Sequence, residues 1–305
     1  MDATAIRRLA VGLLLAALAV AGFASTFVVG AELTKTCGVS SEVLSFLRFA
    51  VAGAVMLAFC PKAPCTARDW AAVLWLGPVG TSLMAWFVFL GCARVSAANA
   101  SMADALTPLM IFAVAALKER HIDARGLVGL FCGFAGALLV IQVVHAGGLA
   151  LDAYSVGDVY VLLAAAVWGV YTVWGRPVIA RMGSLAFTTW TMLAGAAAIG
   201  AVLPFLDVTW PADAKAWSLV ACLAVVSTLM PFWTWNAAQK YLPMSLLGMT
   251  AYFTPVFAVV LAAVFLGERA TSLQWLGTLL IVVSAVVETG KSSRAAKGGG
   301  EDAAA

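Results

Sequence analysis

Residues 70–108 read WAAVLWLGPVGTSLMAWFVFLGCARVSAANASMADALTP, and residues 217–255 read WSLVACLAVVSTLMPFWTWNAAQKYLPMSLLGMTAYFTP. The two stretches hold the same landmarks at one offset. Trp70 and Trp217, Thr81 and Thr228, Trp86 and Trp233, Met102 and Met249, Thr107 and Thr254, and Pro108 and Pro255 are each 147 residues apart. Each copy then runs to a similar charged end, Leu117-Lys118-Glu119-Arg120 in the first and Leu266-Gly267-Glu268-Arg269 in the second. A fixed period of this length in an apolar chain indicates two homologous membrane halves. That is the build of secondary carriers, whose substrate site lies between the repeats.

Composition excludes a water-soluble protein. Of the 305 residues 63% are hydrophobic and 11% charged, with a mean hydropathy of +1.00, whereas soluble chains carry about 25% charged residues. Cys37, Cys60, Cys65, Cys92, Cys132 and Cys222 show no CxxC and no paired spacing. They read as apolar packing residues rather than a metal site or disulfide framework. No metal, cofactor or nucleic-acid partner is expected. Gly290-Lys291-Ser292 resembles the end of a phosphate loop, but Ala285 stands where that motif needs its first glycine.

A bilayer takes about 20 apolar residues per helix. Ten stretches qualify: residues 9–29, 43–60, 70–91, 96–117, 126–144, 158–175, 184–206, 217–238, 243–266 and 272–287. The connections between them are short, so neighbours are antiparallel. Arg7-Arg8 before the first stretch also fits a signal peptide, but the apolar run is longer than an h-region, and its loss would leave span six without a repeat partner. It reads as a retained first span.

With a cytoplasmic N-terminus, Arg7, Arg8, Lys62, Arg68, Lys118, Arg120, Arg125, Arg176, Arg181, Lys240, Lys291, Arg294 and Lys297 fall inside. Only Lys35, Arg94, Lys215 and Arg269 fall outside, and Arg48 lies within a span. The bias places both termini in the cytoplasm of a cell (inner) membrane protein. Five spans per repeat is odd, so the halves are inverted. The expected fold is thus an all-α integral membrane protein of ten helices in two inverted five-helix repeats. Residues 1–145 form the first repeat, 146–290 the second, and 291–305 a disordered tail.

Several motifs resemble those of the EamA family in the drug/metabolite transporter superfamily. Arg48-Phe49 is similar to its RF motif, and Ser25-Thr26-Phe27 and Trp168-Gly169 to its WGSTF element in spans one and six. Pro108, Leu117-Lys118-Glu119-Arg120 and Gly126 resemble its P…L.ER…G pattern, repeated as Pro255, Leu266-Gly267-Glu268-Arg269 and Gly277. One departure is Phe23-Ala24 where the first repeat would carry Trp-Gly. The resemblance implies a ten-helix carrier of small metabolites, often an exporter of amino acids or related compounds.

Polar groups within spans are costly and usually face a cavity. Arg48 lies about 8 Å and Asp104 about 12 Å from the outer face at 1.5 Å per residue. They form an ion pair that locks spans two and four, or they hold the two ends of a zwitterion. Asp104, the acidic residue well inside a span, is also the candidate proton carrier if transport is proton-coupled; a downhill facilitator is the alternative. Asn99 and Asn236, with Gln239, offer amides, and Trp86, Tyr171, Trp190, Trp233, Trp235 and Tyr252 offer aromatic walls. Pro108 and Pro255 are candidate hinges, and Glu119 and Glu268 candidate gates on opposite sides.

An enzyme would need a constellation of catalytic residues at one depth, and a receptor a soluble domain; the chain has neither pattern. An alternating-access carrier of a small-molecule substrate remains, with an amino-acid or polar-metabolite exporter ahead of an exporter of drugs or aromatic cations. Gly129 and Gly133 form a small-xxx-small pair that suits helix packing, leaving monomer and homodimer both open.

Overall fold

The computed structural model describes residues 3–61, 65–94, 106–120, 124–140, 144–145, 148–149, 156–254, 256–257, 272, 275–277, 279–281 and 283. They are helical almost throughout. A chain without water around its backbone must satisfy its N–H and C=O groups internally. Among the described residues five helices are long and apolar enough to cross a membrane: Thr4–Thr36, Ala67–Arg94, Val159–Met182, Ser184–Phe205 and Ala214–Ala238.

In the first half α1 (Ala3–Ala31) continues into a π-turn, Glu32–Thr36, and the chain reverses at Gly38, whose φ of +66° favours glycine. Helix α2 (Ser41–Leu57) follows. The third span starts with a capping box, Thr66 and Asp69 bonding each other's backbone N–H groups. It then runs as α3 (Ala67–Gly77), a π-turn (Pro78–Leu83) and α4 (Met84–Arg94). Helices α5 (Thr107–Glu119) and α6 (Ala124–Val140) complete this half. Between the halves, where the sequence suggests only a connection, strands β1 (Val144–His145) and β2 (Gly148–Leu149) pair antiparallel.

The second half holds α7 (Val156–Met182) and α8 (Ser184–Val202), then α9 (Ala214–Ala224), a π-turn (Val225–Leu229), α10 (Met230–Ala238) and α11 (Met244–Thr250). The π-turns of spans three and eight begin at Pro78 and Val225, again 147 residues apart. The repeat therefore extends to a rare local geometry.

Packing follows the same two-fold relation. The first span lies along the eighth (α1 on α10), and its repeat image, the sixth along the third (α7 on α4), is also present. Spans two and seven (α2, α8) pack on each other, as do spans four and nine (α5, α11). Small residues allow these close approaches. A Cβ on Gly195 would collide with Thr81, and one on Gly80 with the Tyr171 ring.

Among the described residues one ion pair lies at each end. Asp69 at the start of α3 meets Arg181 at the end of α7, Nη2 to Oδ1 at 2.5 Å. Lys215 in α9 meets Glu32 beyond α1 at 2.6 Å. Both link the start of one repeat-related span to the end of another.

Candidate substrate-binding site

A proline cannot donate to the carbonyl four residues before it, and two such carbonyls organise the interior. Pro177, inside α7, leaves Val173 O, which accepts from Lys118 Nζ at 2.9 Å. The sequence placed Pro177 past the end of span six; the helix runs through it because Lys118 supplies the missing donor. Pro231, in the first turn of α10, leaves Ser227 O, which accepts from Arg48 Nη2 at 3.0 Å and Thr26 Oγ1 at 3.3 Å. In span nine Ala251 O accepts from Thr254 N at 3.0 Å, three residues on. Ala251 N and Tyr252 N likewise bond three residues back, to Gly248 O and Met249 O. Span nine thus tightens to 3₁₀ geometry in mid-membrane.

Arg48 is 2% exposed and central. Its Nε donates to Thr228 Oγ1 at 2.8 Å, and Thr228 donates back to Leu223 O at 2.6 Å across the π-turn. The guanidinium lies 5.1 Å, 5.4 Å and 5.9 Å from the ring centres of Phe49, Phe89 and Phe232. The ion pairs among the described residues are Asp69–Arg181 and Glu32–Lys215, and Arg48 is in neither.

Around Arg48 is a cavity of about 60 Å³. Its polar wall is Thr26, Arg48, Thr107 and Thr254; its aromatic wall is Phe23, Phe27, Trp168, Phe232 and Trp235. Phe23 meets Trp168 edge-on at 5.3 Å, so the Phe-for-Trp departure sits against its own repeat counterpart. Beyond Thr107 and Ala251 a second cavity of about 600 Å³ opens between α5, α6, α7 and α11. Pro108, Ile111, Gly248 and Met249 line its inner part, and Glu119 and Arg176 also border it. The larger volume lies within the range of about 300–1,000 Å³ usual for small-molecule sites.

Behind the aromatic wall runs a buried polar chain. Asn236 Nδ2 donates to Tyr171 OH at 3.0 Å and to Thr188 Oγ1 at 2.8 Å, while its Oδ1 accepts from Gln239 Nε2 at 3.1 Å. Tyr171 OH pairs with Thr191 Oγ1 at 3.2 Å, and Trp235 Nε1 donates to Thr172 Oγ1 at 3.2 Å.

Of the residues singled out by sequence, Arg48 and Trp235 line the central cavity, and Tyr171 and Asn236 brace it. Pro108 and Glu119 line the larger one, Pro108 in the first turn of α5. Four are turned elsewhere. Trp86 Nε1 donates to Glu42 Oε1 at 2.8 Å; Trp190 packs edge-on against Trp70 at 5.0 Å; Trp233 is 40% exposed; Tyr252 OH donates to Leu130 O at 2.8 Å. Asn99, Asp104, Pro255 and Glu268 lie outside the described residues. Sequence reasoning passed over Thr107 and Thr254 as ligand groups, although the repeat matched them, and Phe232, which carried no motif.

Paired repeats around a central cavity are the build of a carrier. The EamA-like transporter family model matches residues 10–142 and 155–289, and the chain belongs to that family. It is 30% identical over 219 residues to a probable terminal-alkyne amino-acid exporter of Streptantibioticus cattleyicolor, covering 70% of this chain and 71% of that one. To the aromatic amino acid exporter YddG of Ancylobacter novellus it is 25% identical over 206 residues, covering 67% and 71%. To the uncharacterized transporter YyaM of Bacillus subtilis it is 24% identical over 255 residues, covering 80% and 82%. A solved crystal structure at 24% identity superposes with a TM-score of 0.70 over 94% of this chain and 98% of that one, the same fold. The protein is a multi-pass membrane transporter of a small molecule, not an enzyme.

Proposed function

We propose that the protein exports an amino acid or a related compound carrying a carboxylate, by alternating access across the cell membrane. The observation that carries this reading is Arg48: a buried cation with two bonds fixing its plane, bordering a cavity whose described walls hold no carboxylate. A guanidinium held in this way suits a carboxylate and opposes a lipophilic cation, which ranks the drug-exporter reading second. The relatives named as amino-acid exporters support the same class.

With the positive-inside orientation, the cavity of about 600 Å³ opens to the cytoplasm. The contracted cavity at Arg48, about 60 Å³, then marks the inner limit of a cytoplasm-open conformation. Substrate enters past Glu119 and Arg176, reaches Arg48 between the repeats, and leaves when the inverted half opens. Asp104 remains the candidate carrier for a coupled proton.

Thermal stabilisation of the purified protein, screened against the twenty amino acids, purines and lipophilic cations, tests the reading, since a ligand bound to the folded state raises the melting temperature. Stabilisation by an amino acid that disappears in Arg48→Met is the expected result. Stabilisation by lipophilic cations alone would select the drug-exporter reading.

A further inference from the structure

The central cavity pairs Arg48 with two threonines related by the repeat. Thr107 opens α5, and Thr254 lies in span nine with its backbone N–H bonded to Ala251 O; each precedes a proline in the sequence, 108 and 255. Both are buried, 4% and 3% exposed, and both line the same cavity. Arg48 comes from span two, Thr107 from span four and Thr254 from span nine, so residues of both repeats meet at the wall of one cavity.

The chemistry of these wall groups differs. A guanidinium only donates hydrogen bonds, whereas a hydroxyl keeps acceptor lone pairs even while its own proton is bonded elsewhere. The third threonine of the wall, Thr26, already donates to Ser227 O beside Arg48. A zwitterion whose carboxylate meets Arg48 thus needs acceptors for its ammonium elsewhere on the same wall. Resting on the amino-acid reading above, we infer that Thr254 and Thr107 receive the substrate's ammonium group and determine specificity for α-amino acids over plain carboxylates. Thr254 contributes from the second repeat, independently of Asp104, which lies in the first.

Binding is measured by calorimetry on the purified full-length protein with L-phenylalanine and 3-phenylpropanoate, and with L-leucine and 4-methylpentanoate. Each pair differs by the ammonium group. The parent protein is expected to prefer the amino acid, and Thr254→Val to lower that preference about tenfold, the scale of a hydrogen bond to a charged group. Affinity for the plain carboxylate should stay unchanged, and Thr254→Ser should restore the preference. Thr107→Val should act in the same direction. An unchanged preference in Thr254→Val and in the double variant overturns the inference and leaves the amino-acid reading intact. If the parent binds none of the twenty amino acids, both fail; if it binds both members of each pair equally, the inference alone fails.

Discussion

Arg48 and Asn236 show how single side chains act in this interior. Arg48→Lys keeps the charge but loses the planar fork that spans Thr228 and Ser227. Affinity for a carboxylate ligand should fall about tenfold or more, read by isothermal calorimetry. Asn236 satisfies three partners at once, so Asn236→Ala leaves Tyr171, Thr188 and Gln239 without it. Unfolding in detergent should register a loss of about 1–3 kcal/mol. Tyr171→Phe, which removes one hydroxyl from the same chain, should cost less. Arg48 was legible in the sequence because a cation in mid-span must have a reason to be there. The facing of the aromatic residues was not, since an indole reads alike whether its N–H finds Glu42, as in Trp86, or Thr172, as in Trp235.

At the scale of the helix, proline position links sequence to site. Pro231 has no N–H to donate to Ser227 O, and that carbonyl accepts from Arg48 instead. Pro231→Ala offers the carbonyl a competing helical donor. The expected outcome is a melting temperature equal to or above the parent's with weaker carboxylate binding; weaker binding together with a lower melting temperature would point to general disruption instead. Gly80 tests the packing of span three on span six. Gly80→Leu has no room against the Tyr171 ring and should cost about 1–3 kcal/mol, as overpacking does, measured by thermal unfolding. The repeat predicted matched landmarks in spans three and eight but not the π-turns there. Such a turn leaves no periodic signature and arises from different neighbours, Pro78 within the first and Pro231 just after the second.

Across the whole molecule the two end pairs are related in place and differ in the burial of their acid. The Asp69 side chain is 1% exposed and also caps α3, against a 47% exposed Arg181, whereas the Glu32 and Lys215 side chains are 38% and 60% exposed. Asp69→Ala should therefore lower the melting temperature clearly, through loss of both cap and pair. Glu32→Ala should change it little, as exposed pairs contribute about 0–1 kcal/mol. The fold was legible at this scale: hydropathy, short connections and one constant offset lead to paired repeats and then to a family of transporters. The substrate was not, because it depends on which polar groups converge across spans far apart in sequence. The central claim is that Arg48 is where the substrate's carboxylate binds, and counterflow of a stabilising amino acid in proteoliposomes tests it most directly. Saturable uptake by the parent and none by an Arg48→Met protein of equal melting temperature is the predicted result; undiminished uptake by that variant would contradict it.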